Sequence, residues 1–435
     1  DGRQVIAIGE SVFAGNLTIT SVTIPEGVTT IGSGAFKNCA NLAELNLPGS
    51  LTTIADGNFA DCPNVVLYCV KGSAAEAYAK EHGIACVAQT DASLFTYSDL
   101  SSDTCSITGY TGTEGDIALP TTSPDGKRVT GIGWNAFYGN QTLTSVEIPG
   151  SIEQIEAYAF ANCPNLTSAV VNEGITELGA GMFNYCQNLI DIQLPETTLK
   201  KIGGNAFGNC YKLKSISIPE TVTSIDNYVF DNTGLTAVQL PAGLTELGDG
   251  AFRGCEKLTS IVIPEGIRTI GDSTFGSCVN LAEITLPKAL KVIGDYAISF
   301  CNKIERIRIP STVTTIGAGA FSACNNLTLV CEAGSYAEAY AKENNIPYVL
   351  ESTAGDFGFA TPDEATPGEA SGSTSEVRDY NGAEGLVVIP MQSADGRPVV
   401  KVADHAFAGN TAITGVVIPN SVRTIGSGAF SGCGN

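Results

Sequence analysis

Apolar residues recur along this chain in one fixed order. The order is neither the strict alternation of a long strand nor the three-and-four spacing of a long helix. In Val28 to Pro48, read VTTIGSGAFKNCANLAELNLP, the apolar positions are Val28, Ile31, Phe36, Cys39, Leu42, Leu45 and Leu47, with small Ala35 before the ring. Nearly the same string returns at Val222, Ile267, Val313 and Val422. Its marker is Phe at 13, 36, 59, 137, 160, 183, 207, 230, 252, 275, 321, 407 and 430, with Ile298 in step, which makes fourteen repeats about 23 residues apart. A fixed period of this size predicts stacked structural units. One unit cannot bury its own apolar face, so stacking must build aligned columns: Phe on Phe, Cys on Cys, Leu on Leu. Within a unit, Leu42-x-x-Leu45-x-Leu47 reads as a strand that Pro48 ends. Val28 to Ile31 reads as a second short apolar run, and SGAF as a tight turn with room for one helical turn.

The pattern breaks at regular places. After three repeats, Val65–Cys69 reads as a last strand and 73–82 (SAAEAYAKEH) as a short helix capped by Ser73 and ended by Gly83. The same close returns as 327–331 and SYAEAYAKEN at 335–344. Both are expected to cap the bare end of a stack. Between 94 and 131 the runs LFTYSDL, SITGYTG, GDIALP and KRVTGIG are split by Gly, Asp and Pro, which predicts a small β-meander at the start of the second stack. In the first repeat of each array, Asn16, Asn140 and Asn410 stand where others carry Cys, placed to bond loop backbone. The stretch ATPDEATPGEASGSTSE, with few apolar groups, is expected to be mobile. The expected domains are therefore an array with its cap at 1–89, an array of nine repeats at 94–350, a linker or cap insertion at 351–376, and the start of a third array at 377–435. Asp1-Gly2-Arg3 matches Asp125-Gly126-Lys127 without the entry sequence that precedes the latter, and the chain stops inside a repeat. It reads as an excerpt of a longer polypeptide.

Composition changes this picture in three ways. The formal charge of −22 argues against a nucleic-acid partner, which needs a basic face. No run of 18 apolar residues is present, so no membrane span is expected in this stretch. Fourteen Cys suggest disulfides, but ten of them (Cys39, Cys62, Cys163, Cys186, Cys210, Cys255, Cys278, Cys301, Cys324, Cys433) follow the marker residue by three. Coils roughly 4.8 Å apart with parallel side chains do not bring Cβ atoms to the converging 3.5 to 4.5 Å or so of a disulfide. The column is expected to stay reduced and apolar. Cys69, Cys86, Cys105 and Cys331 lie off it, and a bridge between two of them is left open.

The strand L-x-x-L-x-L at a short period is a leucine-rich-repeat signature. The strings IGSGAFKNCANLAELNLP, IGGNAFGNCYKLKSISIP and IGAGAFSACNNLTLV resemble the BspA-like, or Treponema pallidum-type, leucine-rich repeats over nearly the whole chain apart from 351–376. The resemblance implies a leucine-rich repeat solenoid, with one strand plus a short strand or helical turn per repeat. It implies a bacterial surface or secreted protein, adhesin-like in some members.

Chemistry is sparse by comparison. Gly131-Ile-Gly133-Trp-Asn-Ala136 fits a dinucleotide fingerprint but is the repeat's own turn, with no crossover helix after it. Asn16, Asn140, Asn165 and Asn326 open N-x-T sequons that also arise from the repeat. The two His, His82 and His405, have no partner for a zinc site or a nucleophile. No catalytic residue, metal or cofactor is expected. Trp134 is expected to pack at the entry of the second array. The remaining candidate is the outward side of the main strand: Glu147, Asp191, Gln193 and Gln239, and the charge cluster Glu283, Glu305, Arg306 and Arg308. The expected role is non-enzymatic binding of a host, extracellular-matrix or bacterial surface protein, or a glycan. The alternative is a structural spacer that presents another domain.

Overall fold

The computed structural model describes residues 5–351, 356–361, 374–382 and 386–433. They fall into two compact units, Asp1–Leu258 with Ser273–Cys278, and Thr259–Asp272 with Val279–Asn435. Both are parallel β-solenoids in which every coil returns to a neighbour of like sequence. In the first unit, Ser21–Thr23, Glu44–Asn46, Val66–Val70 and Ala85–Gln89 form one parallel sheet, with Ser21 opposite Glu44. The run from Val28 to Ile31 gives the second, shorter strand: Ala7–Ile8, Thr30–Ile31 and Thr53–Ile54 pair in parallel. The pattern resumes with Asp116–Ala118, Ser145–Ile148, Ser168–Val171 and Asp191–Gln193 on one side. Glu177–Leu178, Lys201–Ile202, Ser224–Ile225 and Glu246–Leu247 pair on the other. In the second unit Ser260–Val262 pairs with Glu283–Thr285, and Arg306–Arg308 with Thr328–Glu332 and Tyr348–Glu351.

The expected columns form. The rings at 36, 160, 183, 207, 230, 252 and 275 and the side chain of Ile298 are fully buried. Successive rings stack with centroids 4.5 to 5.9 Å apart. The column cysteines are free thiols. They are not merely apolar filling, however. The Sγ of Cys210 donates to the carbonyl of Phe183 in the preceding coil at 3.2 Å, and Cys39, Cys62, Cys163, Cys186, Cys255 and Cys278 repeat that bond. The marker carbonyl already accepts the N–H three residues on in its own coil, as Phe183 does from Cys186 at 3.0 Å, and the thiol of the next coil gives its remaining lone pair a small, weak donor. Thr233 stands at the column position after Phe230, where its hydroxyl donates to the Phe230 carbonyl of its own coil. Beside this column, the Asn41, Asn165 and Asn188 amides donate to carbonyls of the preceding coil. Burial raises the Cys210 and Cys278 thiols well above their ordinary range, and raises Cys255 to about 12.

No helical turn forms at SGAF. Instead the backbone is left-handed two residues before the marker in all fourteen coils, from Ser11 to Gly428, and again two residues after it, from Gly15 to Gly432. Glycine or asparagine suits these positions, because a Cβ costs a left-handed residue roughly 1–2 kcal/mol. Several coils nonetheless carry Tyr there, at 158, 185, 228 and 296. Gly181 shows what the Tyr does. A Cβ built on it would run into the ring of Tyr158, which lies across it from the coil before; Gly250 stands in the same relation to Tyr228, and Gly319 to Tyr296.

The caps occur where the sequence places them, and each closes the ring stack with rings. Helix α1 (Ala74–His82) is capped by Ser73, which accepts from the Glu76 N–H, and ends on left-handed Gly83. Its Tyr78 meets Phe59 edge-on at 6.1 Å. Helix α2 (Tyr336–Glu343) repeats this, with Tyr340 against Phe321 at 6.1 Å. Each helix is followed by a parallel strand that the sequence pattern does not announce, Ala85–Gln89 and Tyr348–Glu351. The entry modules depart from a simple meander. Phe95–Asp99 is antiparallel to Thr104–Tyr110, but the latter then runs parallel to Arg128–Ile132, while Asp116–Ala118 joins the other sheet. The module is already the first, distorted coil, so its strands take the coil's two directions. Phe95 and Tyr110 cover Phe137, as Phe357 and Tyr380 cover Phe407. Phe357–Ala360 pairs antiparallel with Ser375–Tyr380; most of the Pro/Gly/Ser/Thr-rich stretch between them, expected to be mobile, lies outside the described residues. Asn16, Asn140 and Asn410 bond loop N–H groups, as expected of them. Off the column, Cys69 and Cys86 remain thiols with their sulfurs 2.9 Å apart.

Three tests follow from this packing. Phe207→Ala is expected to cost about 3–5 kcal/mol, read as a lowered midpoint in denaturant; an unchanged midpoint would place the ring outside the core. Gly181→Ala should cost at least about 1–2 kcal/mol, while Asn205→Gly, at the same turn position in the next coil, should stay within about 0.5 kcal/mol. The raised Cys255 thiol binds its proton more tightly when folded. Its contribution is therefore complete below the unfolded value of 9.0 and is lost as pH rises from there toward about 12. Stability measured between pH 9 and 11 should fall less steeply in Cys255→Ala, by about 1.4 kcal/mol per pH unit; equal slopes would refute the raised thiol.

Candidate ligand-binding faces

The main strands expose alternate residues because side chains alternate across a strand. Ile192 is buried between exposed Asp191 and Gln193, Ile284 between Glu283 and Thr285, and Ile307 between Arg306 and Arg308. All eight candidate residues, Glu147, Asp191, Gln193, Gln239, Glu283, Glu305, Arg306 and Arg308, are exposed. In the first unit the register aligns Glu147 with Val170 and Val170 with Gln193, and puts Asp191 beside Ser168. The outer row there mixes acid, amide and small apolar side chains.

Gln239 does not belong to that ladder. The extended segments 215–218 and 237–240 form no strand. The spacing of the marker lengthens to 24 residues between Phe183 and Phe207 and shortens to 22 between Phe230 and Phe252. The first change adds a residue around Thr197 and Thr198, whose N–H groups both bond the Glu173 carboxylate. The second removes a residue between Thr233 and Leu235. Each change shifts the strand relative to its neighbour and breaks the ladder there.

In the second unit the charge cluster stands on the outer face. Glu283, Glu305 and Arg306 form no ion pair within the described residues. Ion pairs gather elsewhere. Lys201 lies 3.2 Å from Glu177 and 3.0 Å from Asp226 on the short-strand side. Arg253 forks onto Asp231 at 2.7 and 2.9 Å, with its guanidinium over the Tyr228 ring.

A second exposed feature lies on the turns that flank the core ring. Trp134 does not pack at the entry; its side chain is exposed (64%) while its backbone N–H donates to Glu156 at 2.8 Å. It stands three residues before Phe137, on the outer side of the turn, so its ring points away from the ring column. Tyr138, Tyr158, Tyr185 and Tyr211 are exposed on the same ridge. Reading the strand face alone missed these rings. Their signal was available: each replaces the Gly, Asn or Ser that other coils carry beside the marker, or adds a ring next to it.

Among the described residues no group of three or more His, Cys, Asp or Glu is placed to hold a metal ion. Burial holds the Cys62, Cys210, Cys255 and Cys278 thiols protonated rather than activated as a nucleophile would require. His82 stacks on Tyr78 and lies 3.7 Å from Asp56, a contact internal to the cap. No helix among the described residues is long and apolar enough to cross a membrane.

Comparison with known proteins agrees with this architecture. No curated protein matches the chain. Among solved structures, a Treponema pallidum leucine-rich repeat protein is 26% identical, covering 60% of this chain and 97% of that one, with a TM-score of 0.37. A leucine-rich cell surface protein of Faecalibacterium prausnitzii is 22% identical over 55% of this chain and 86% of that one, TM-score 0.35. The pneumococcal vaccine antigen PcpA is 15% identical over 76% and 91%, TM-score 0.37. The model of the BspA type leucine-rich repeat region matches in six copies at residues 3–73, 122–236, 200–328 and 397–435, well over half of the chain. With the ring column and paired strands in every array, this chain belongs to the BspA-type leucine-rich repeat family.

Proposed function

We propose that the protein is a non-enzymatic binding protein of a bacterial cell surface or secretome, and that it takes a protein partner on the outer face of its main strands. The supporting observation is the outer row of the second unit. Glu283, Glu305 and Arg306 are exposed and form no ion pair within the described residues, and Arg308 is exposed two positions on. Surface charges that are not consumed by pairing are available to a complementary partner, where they govern encounter rate and specificity. The rigid backbone under them holds their spacing without a cost in ordering. A family relative is described as a cell surface protein, which supports an extracellular location for this one. Host-matrix and bacterial surface proteins are the partner classes proposed.

The test is adhesion of the purified chain to immobilised collagen, fibronectin and laminin, with the triple change Glu283→Ala, Arg306→Ala, Arg308→Ala beside it. Binding by the parent at low salt, weakened at least about tenfold by the triple change, is the expected result. Binding that is absent, or unaffected by the triple change, would favour a spacer that presents another domain.

A further inference from the structure

The turn ridge of the first unit contains a recess of about 450 Å³ that no strand residue reaches. Its walls are the rings of Tyr138, Tyr158 and Tyr185 and the side-chain amides of Asn162, Asn184 and Asn205. Ala161, itself buried, is the one aliphatic residue in the lining. We propose that this recess binds a neutral oligosaccharide. The reading is independent of the strand-face function above and concerns a different surface.

Three features carry it. The rings are presented rather than packed: they are 39 to 55% exposed, and Tyr158 lies across Gly181, which backs the ring and leaves it directed outward. A flat aromatic surface supported from behind suits the apolar C–H face of a pyranose. Next, the polar groups have unused capacity. The hydroxyls of Tyr138, Tyr158 and Tyr185 and the amides of Asn162 and Asn205 make no hydrogen bond within the described residues, while the Asn184 amide makes one long bond of 3.4 Å to the Asn205 carbonyl. An amide both donates and accepts, so it can pair with adjacent hydroxyls of a sugar. Finally, no charged residue lines the recess, although the chain carries a net −22. An ionic ligand would find no counter-charge in it. A protein anchor would want a fully desolvated pocket, which a lining with three side-chain amides does not offer.

The backbone adds a further point. Tyr158 and Tyr185 are both left-handed, with φ of 59°, where asparagine or glycine serves other coils at lower cost. Holding two Tyr side chains in that conformation is unfavourable for folding, and their shared place is the rim of this recess.

The experiment is affinity electrophoresis of the chain through native gels cast with β-glucan, xyloglucan, galactomannan, arabinoxylan or amylopectin, with an anionic polygalacturonate gel as control. The variants are Tyr158→Asn, Tyr185→Asn, the two together, and Tyr296→Asn on the other unit. Asn occupies the equivalent left-handed positions at 205 and 209, so these variants should fold with an unchanged or higher Tm, and their Tm is measured alongside. The expected result is retardation by at least one neutral polysaccharide. Each single change at the recess should weaken it roughly three- to tenfold, the double change should abolish it, and Tyr296→Asn should leave it intact. No retardation in any neutral gel would overturn the proposal. So would retardation that survives the double change, or that is strongest in polygalacturonate, or a chain that takes a protein at this recess and no glycan.

Discussion

Every coil must carry its backbone sharply around one inward side chain, a ring in all but the Ile298 coil, and it does so by turning left-handed on both sides of it. This constraint organises the rest. It fixes which residues flank the marker, it aims the ring inward, and it leaves the side chains of the flanking positions outward on a ridge. The stack of rings then sets the distance between coils. The two parallel ladders follow, because each coil re-enters at the same height with its strands in register. The ends obey the same rule. A ring stack has two exposed faces, and aromatic side chains of the entry hairpin and the exit helix cover them.

Around the rings, the polar backbone is satisfied by side chains that are read too easily as filler. Inward-facing carbonyls between the ladders have no strand partner. Cysteine thiols take one set of them and asparagine amides another, coil after coil. A thiol is small enough for the column and still donates, which alanine cannot do. Thr233 bonds the carbonyl of its own coil instead, in the one coil that is a residue short. There, and where an earlier coil of the same array gains a residue near Thr197, the main ladder is interrupted while the ring column is not. The ring column and the short-strand ladder from Glu177–Leu178 to Glu246–Leu247 therefore hold neighbouring coils together where the main ladder does not.

The same architecture offers partners two unlike surfaces. The strand face is extended and mixed in charge, and in its second-unit portion Glu283, Glu305 and Arg306 form no ion pair within the described residues. The turn ridge is neutral, aromatic and amide-bearing in the first unit. The two differ because their side chains are set by different parts of the repeat. The strand leaves alternate positions free for any polar residue. The turn restricts its free positions to residues that tolerate, or are held in, a left-handed backbone.

Much of the fold was legible in the sequence for a simple reason: a buried column repeats its residue, so Phe36 and its counterparts announce the period, and Ser73 with Gly83 announces a helix by local capping. The exposure of the candidate residues on Glu283–Thr285 and Arg306–Arg308 was legible too, since alternation is a local property. Other features depend on what the next coil does. That Tyr158 covers Gly181, that the Cys210 thiol serves the Phe183 carbonyl, that Trp134 faces outward, and that Gln239 falls where the ladder is broken are relations between residues some 20 or more positions apart. The sequence determined the period, the buried column and the ends of the arrays, because those follow from burial and backbone preference within one coil. Only the tertiary structure decided which exposed side chains meet, because that depends on the register of one coil on another.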